Sequence, residues 1–321
     1  MEIKPRAMRD AFLEQIWIAM QSNEKIFFLS ADFGSPVLDK IRKDFPNRFA
    51  NVGIAEQNLI NVAAGLATEG FTVFAYAIAP FITMRCYEQS RVNLALLSEV
   101  RDMNVNLIGV GAGYSYVVSG PTHQCYEDIT LMRAMPNFRV LSPSDHVVAE
   151  SLIDECLNNT GPKYLRFDAQ ILPPIYEQGS VNTEAGFSEI REGDNVCLIA
   201  TGYMVHTAMQ VAEELEKEGV KVGLIDLFDL SGFDSALLSE KIKNYKGLVS
   251  LEEAFKGRGG LDALLFNFIQ ELASKPKFCN IGVHSQYEFE LGTRQELHEK
   301  AGIGPVSVMS TVKDFMSSHD I

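Results

Sequence analysis

Short apolar runs alternate along this chain with longer stretches in which apolar positions recur at helical spacing. Residues 7–22 carry the helical pattern. Residues 26–29 read as a buried strand that ends in the turn-forming cluster Ser30-Ala31-Asp32-Phe33-Gly34-Ser35-Pro36. The apolar run 49–52 breaks at Gly53, and a run of small and apolar residues at 60–67 predicts a helix with Glu56 in its first turn. Further strands are expected at 71–77, 105–110, 138–141 and 163–166. Helices are expected from 78 through Arg91, over 126–135, and from the capping Asp145 to 157. Residues 167–190 change character, with Pro173-Pro174 and Gln178-Gly179-Ser180, and read as a linker with a short extended excursion. Strands at 196–200, 220–224 and 247–251, separated by helices at 205–218 and 236–245, then repeat the alternation. The pattern predicts an α/β protein with two open, mostly parallel-sheet domains, over 1–170 and 191–321, joined by a linker at 171–190.

The charge balance, 28 − 42 = −14, argues against nucleic acid or an anionic membrane as the main partner. No apolar run reaches the roughly 18 residues of a membrane span. The N-terminal residues lack a signal-peptide pattern, and the expectation is a cytoplasmic enzyme subunit. The five cysteines are irregularly spaced without C-x-x-C, which disfavours a disulfide framework or a zinc site. The histidines outside position 123 form no metal-ligand spacing.

Chemistry concentrates where strands end. Glu56 stands where a strand gives way to a helix, so the helix dipole favours its carboxylate, and open α/β sheets keep their sites at such strand ends. Taken alone, it reads more simply as a helix-start acid. The loop 114–124 is long for an α/β connection, which points to function, and it holds His123 behind a Gly-Pro turn. Two motifs decide the reading. Gly53-Ile54-Ala55-Glu56-Gln57-Asn58 with the small-residue run behind it, and Gly120-Pro121-Thr122-His123-Gln124 downstream, resemble the pyrimidine-domain signature and the G-P-T-H-Q of the transketolase family. The resemblance runs from about residue 5 to the C-terminus and covers only the second half of a full-length transketolase.

That resemblance implies thiamine diphosphate as cofactor. Glu56 would hydrogen-bond N1′ of the aminopyrimidine and share a proton there, and the cofactor would act as electron sink. Phe81 falls where the family stacks an aromatic ring on that heterocycle. His123 matches the active-site histidine that meets substrate oxygens. Asp32 and Ser35 lie in a loop near the cofactor and substrate channel, with loop capping as the alternative for Asp32. Arg85 is either a cofactor-channel residue or a surface arginine. Arg166 falls where the family often grips a substrate phosphate, with a strand-end ion pair as the alternative. Glu252-Glu253, Gly257 to Gly260 and the segment from Phe289 to Leu297 resemble the family's C-terminal domain and look architectural.

Two departures matter. Transketolases proper carry G-E-D-G-P-T-H-Q, whereas this chain has Val117-Val118-Ser119-Gly120 at that point. Ser119 is a shorter and weaker partner than a carboxylate for a sugar hydroxyl, which favours a deoxy, amino or otherwise modified sugar, or a 2-oxo acid. The G-D-G…N segment that binds diphosphate through Mg2+ or Ca2+ is also missing; Glu192-Gly193-Asp194-Asn195 lacks the second glycine. The resemblance therefore implies a partner subunit with the diphosphate-binding domain, an alpha2-beta2 assembly, and self-association through a dimer interface. Three readings stand at this point. The chain is a subunit of a two-component transketolase-like enzyme, or of a 2-oxo-acid dehydrogenase E1 beta or deoxyxylulose phosphate synthase-like enzyme, or a non-catalytic binding subunit of the same fold.

Overall fold

The structure is a computed structural model and describes residues 4–321. The first unit runs α1 (Met8–Ser22), β1 (Ile26–Ser30), α2 (Pro36–Asp44), β2 (Phe49–Asn51), α3 (Glu56–Thr68) and β3 (Thr72–Ile78). A helical region follows, in which α4 (Tyr87–Gln89) sits between two stretches of wider i→i+5 winding, Phe81–Arg85 and Ser90–Leu96. Then come β4 (Asn104–Val110), α5 (Asp128–Arg133), β5 (Arg139–Leu141), α6 (His146–Ser151), α7 (Ile153–Asn158) and β6 (Gly161–Phe167). The six strands form one parallel sheet in the order β2-β1-β3-β4-β6-β5. Strand β6 is last in sequence but lies inside the sheet, between β4 and β5.

Alternation along the central strands builds two cores. Val73 and Ala75 of β3 point to the face covered by Leu59, Ile60 and Ala63 of α3, while Phe74 and Tyr76 point to the face covered by Phe12 and Ile16 of α1. Because every strand runs the same way, the loops after β1, β2, β3 and β4 gather along one carboxyl edge.

The second unit runs β7 (Phe187–Arg191), β8 (Val196–Ala200), α8 (Met204–Lys217), β9 (Gly223–Leu227), α9 (Ser235–Ile242), β10 (Gly247–Phe255), α10 (Leu261–Glu271), β11 (Lys277–Val283), α11 (Arg294–Lys300) and α12 (Pro305–His319). Its sheet has the order β11-β10-β8-β9-β7, parallel except for β7 at the edge. The strand expected at 220–224 starts later, because Gly219 has φ +85° and the Val220 N–H closes α8 on the Leu215 carbonyl. Strand β10 runs on through Glu252-Glu253 after a register irregularity beyond Leu251. The helix expected over 126–135 shortens to α5, because the chain up to Cys125 is still paired with Gly113. The helix expected from Asp145 to 157 divides into α6 and α7 at Leu152; Asp145 does cap it, accepting from the Val148 N–H.

The two units share one apolar core, in which Ile129 and Val140 belong to the same cluster as Leu227, Leu230 and Leu261. Backbone hydrogen bonds join them, from Ser142 N to Phe228 O (2.7 Å) and from Leu230 N to Val140 O (2.8 Å). Asp226, fully buried on β9, accepts from the Ser144 and Tyr176 hydroxyls and keeps one oxygen unpartnered. Burial pushes its carboxyl up to about 7, and those two hydroxyls only partly oppose this. The folded state thus holds a proton that the unfolded state releases above about pH 4, so this contribution to stability falls as pH rises from about 4 to about 7. Asp226→Asn is expected to remove that part of the slope, and to unfold at higher urea than the parent at pH 8 but not at pH 4. Glu252, which burial also pushes up to about 7, keeps its own share in both proteins.

Candidate active site

Glu56 opens α3 and is 4% exposed. It gets there through a tight turn at Gly53, with φ +76°, a conformation that a side chain disfavours. Asn51 fixes the turn from below. Its side-chain oxygen accepts from the N–H groups of Gly53 and Asp32, each at 3.0 Å, and its amide donates to the Asp32 carboxylate at 3.0 Å. Asp32 itself adopts φ +53°. One asparagine therefore ties the loops after β1 and β2 together.

Arg85 Nη1 lies 3.1 and 3.2 Å from the two Glu56 oxygens. The same guanidinium sits over the Phe81 ring, its carbon 3.7 Å from the centroid. Residues four apart share one face of a helix, which places the Arg85 side chain over the Phe81 ring. Phe81 in turn meets His123 edge-on, with ring centroids 5.3 Å apart and planes at 71°. Glu56, Arg85, Phe81 and His123 thus form one continuous row along the carboxyl edge.

His123 stands in a compact turn. Gly120 has φ +67°, and its carbonyl accepts from the His123 and Gln124 N–H groups. The Thr122 hydroxyl lies 2.9 Å from His123 Nδ1. Ser119 and Val118 are exposed on the same loop. Cys86 lies under this row, but burial pushes its thiol up to about 12, which makes it a packing residue and not a nucleophile.

Two expected residues are placed otherwise. The Ser35 hydroxyl is buried and accepts from the Leu38 N–H as the cap of α2. Arg166 is fully buried, with Nε 2.8 Å from Asp128 and Nη2 2.9 Å from the Glu253 carbonyl. Its fork is occupied within the fold and is not presented to a substrate phosphate. The ion-pair alternative describes what this arginine does here.

Transketolase's pyrimidine-binding domain matches residues 4–175, and its C-terminal domain matches residues 185–308. This chain belongs to the transketolase family. The transketolase-like chain is 30% identical over 267 residues to an apulose-4-phosphate transketolase subunit of Actinobacillus succinogenes, covering 83% of this chain and 84% of that one. It is 31% identical over 314 residues to a putative transketolase C-terminal section of Methanocaldococcus jannaschii, covering 97% and 96%. Among solved structures, a split-gene transketolase described as an inactive beta4 tetramer superposes with a TM-score of 0.84 at 29% identity, covering 97% of this chain and 98% of that chain.

The transketolase family is thiamine diphosphate-dependent, and the site's own residues fit the pyrimidine end of that cofactor. A buried carboxylate, a half-buried aromatic face beside it and a histidine against that face suit a flat heterocycle with a basic ring nitrogen. Among the described residues, no group of three or more potential metal-ligating side chains lies together. None of their helices is long and apolar enough to cross a membrane.

Three features of this region escape sequence reasoning. Asn51 hides inside a longer motif. The Arg85 guanidinium reaches the Glu56 carboxylate as well as the Phe81 face, a contact between residues 29 apart that no local window joins. The carboxylate pair Glu252-Glu253 reads as architecture, yet Glu253 reaches across to the loop that bears His123. Two adjacent acids at the end of an apolar strand are the signal that could have found it.

Proposed function

We propose that this chain is the pyrimidine-binding component of a two-component, thiamine diphosphate-dependent transketolase-like enzyme. The complex transfers a two-carbon ketol unit between a ketose and an aldose, one of them a modified sugar. The observation that carries this reading is the row of buried Glu56 with half-buried Phe81 and His123 along one sheet edge. Relatives named as one subunit of a transketolase and as a split-gene transketolase support a separate partner chain. That partner would bring the diphosphate-binding segment and the Mg2+ or Ca2+ ligands, which this sequence lacks. The assembly would be alpha2-beta2 with a self-associating beta pair, a reading supported by the solved relative described as a beta4 tetramer.

When bound, thiamine diphosphate supplies a carbon nucleophile and an electron sink. Glu56 would hold the proton at the pyrimidine ring nitrogen, Phe81 would offer its face to the ring, and His123 would hydrogen-bond substrate oxygens. Arg85 occupies both the Glu56 oxygens and the Phe81 face, so it must move aside as the heterocycle enters. Asp32 would line the approach beside Asn51. Ser119 beside exposed Val118 would give the acceptor a less polar wall than an aspartate does, consistent with a modified sugar. A relative named for apulose-4-phosphate supports that substrate class.

Phe81→Ala is expected to weaken thiamine diphosphate binding to the assembled complex by at least the ~0.5–1.5 kcal/mol of an aromatic stacking pair. Calorimetric titration checks it, and an unchanged affinity would remove Phe81 from the cofactor site. The substrate claim is tested by supplying the complex with plain and modified ketose donors and scoring new ketoses by mass spectrometry. Turnover with 2-oxo acids alone would move the chain to the dehydrogenase or carboligase reading.

A further inference from the structure

Glu253 lies on the second unit's β10, and no part of the proposed chemistry uses it. It is fully buried, and its carboxylate and its backbone carbonyl both reach groups of the first unit. Oε1 accepts from the Tyr114 N–H at 2.9 Å, at the start of the loop that bears His123. The same oxygen lies 2.6 Å from His298 Nε2, and Oε2 lies 2.7 Å from Arg294 Nη2. Arg294 continues to Asp168 at 2.6 Å, just beyond β6. The Glu253 backbone carbonyl accepts from Arg166 Nη2 at 2.9 Å, and the same nitrogen lies 3.5 Å from the Cys125 carbonyl at the far end of the loop, while Arg166 Nε holds Asp128 at the start of α5. One residue therefore secures both ends of the loop.

The fit at the loop's base is close. A Cβ on Gly113 would stand 2.0 Å from the Glu253 carboxyl carbon, and Gly113 has φ +53° besides. Gly113 and Cys125 pair backbone to backbone, closing the loop's neck directly above this contact. Burial pushes the Glu253 carboxyl up, but Arg294 and then His298 more than reverse this and hold it well below the usual carboxylate range. The group is thus a fixed anion, and its hydrogen bond to Tyr114 N–H is charge-assisted.

We propose that Glu253 is a positioning residue for His123: the second unit, through this carboxylate and its carbonyl, sets the loop 114–124 and with it the imidazole against Phe81. This rests on the reading of His123 as the site histidine, but its test needs neither partner, cofactor nor turnover. The full-length chain is labelled at histidine and its ring signals are recorded; six histidines keep the spectrum tractable. Amide exchange over the loop is followed in parallel. Glu253→Gln keeps the shape and removes the charge. The expected result is a shifted or broadened His123 ring signal and amide exchange over Tyr114 to Gln124 faster by about ten- to a hundredfold, the change that loss of a hydrogen bond to a charged group produces.

Glu252→Gln is the control. That neighbouring buried acid caps α10 by accepting from the Leu261 and Asp262 N–H groups, and it is expected to leave the His123 signal in place. A folded Glu253→Gln protein with an unchanged His123 signal and unchanged loop exchange would overturn the proposal. So would an equal His123 shift in the Glu252→Gln control. If Glu253→Gln does not fold, Glu253→Asp decides: it keeps the negative charge beside Arg294 and His298 but draws the carboxylate back from the Tyr114 N–H. Faster loop exchange in that variant supports the proposal, and unchanged exchange overturns it. If the His123 signal responds as expected but His123→Ala leaves turnover of the assembled enzyme intact, the functional reading fails while the positioning relation stands.

Discussion

Replacing Glu56 with glutamine is expected to lower turnover of the assembled enzyme by about 10²–10⁴-fold, the range that a positioned proton-transfer group contributes. Glutamine keeps the shape of the side chain at the first turn of α3 but cannot carry a proton at the pyrimidine nitrogen. Folding should barely change. The substitution removes the ion pair with Arg85, whose side chain is 46% exposed, so solvent screening leaves that pair worth well under ~1 kcal/mol. The expected signature is therefore a folded, partner-bound protein with little activity. Steady-state rates and thermal melts of the same preparations check both halves. An active Glu56→Ala enzyme in the presence of added cofactor would remove Glu56 from the catalytic role.

Arg294→Met is expected to give the largest loss of stability among these substitutions. Arg294 is 5% exposed, pairs with both Glu253 and Asp168, and stacks on Tyr203 with its guanidinium carbon 3.6 Å from the ring centroid. Methionine keeps part of the packing but leaves two buried carboxylates without their main counter-charge. Removing one partner of a buried pair costs about 3–5 kcal/mol, because the charge left behind stays desolvated. For a chain of this size that corresponds to a melting temperature lower by roughly 4–7 °C. The deficit should also depend on pH. In the parent, the Glu253 carboxyl is held low, so its contribution is present above the unfolded pKa of about 4 and is lost as pH falls below it. In the variant, burial without Arg294 drives both carboxyls up, so the folded state gains from protonation as pH falls. The gap between parent and variant should therefore be wide at pH 8 and narrow at pH 5. Urea unfolding at the two pH values measures this, and an equal gap at both would show that the arginine acts through packing alone.

The residues in this account differ in how far the linear sequence betrays them. Glu56 and His123 are legible because each sits in a short local motif in a connection that leaves a strand's carboxyl end, which puts both on that edge of a parallel sheet. Phe81 is legible as a residue but not in its state, since the Arg85 cation over its ring is held there by Glu56, 29 residues away. Arg166 misleads for the opposite reason. Its position matches a phosphate-gripping pattern, yet its counter-charge, Asp128, lies 38 residues away and closes over it only when β6 slots in between β4 and β5. Strand order in a sheet does not follow order in sequence, so no local window could show that contact. Glu253 and Arg294 are 41 residues apart and meet across two elements. The α/β alternation is plain from periodicity, whereas half-buried β11, with Lys277, Cys279 and Asn280 among its residues, carries too little alternation to be read as a strand.

The most direct test of the central claim is to isolate this chain with whatever it binds in its native host and titrate the preparation with thiamine diphosphate and magnesium. A stoichiometric second chain carrying a diphosphate-binding G-D-G…N segment is the expected result. Also expected are cofactor binding by the pair but not by this chain alone, and loss of ketol transfer when Glu56→Gln is built into the pair. A chain that comes down alone, stays alone with cofactor and metal present, and binds no thiamine diphosphate would contradict the two-subunit enzyme and leave a binding protein of the same fold.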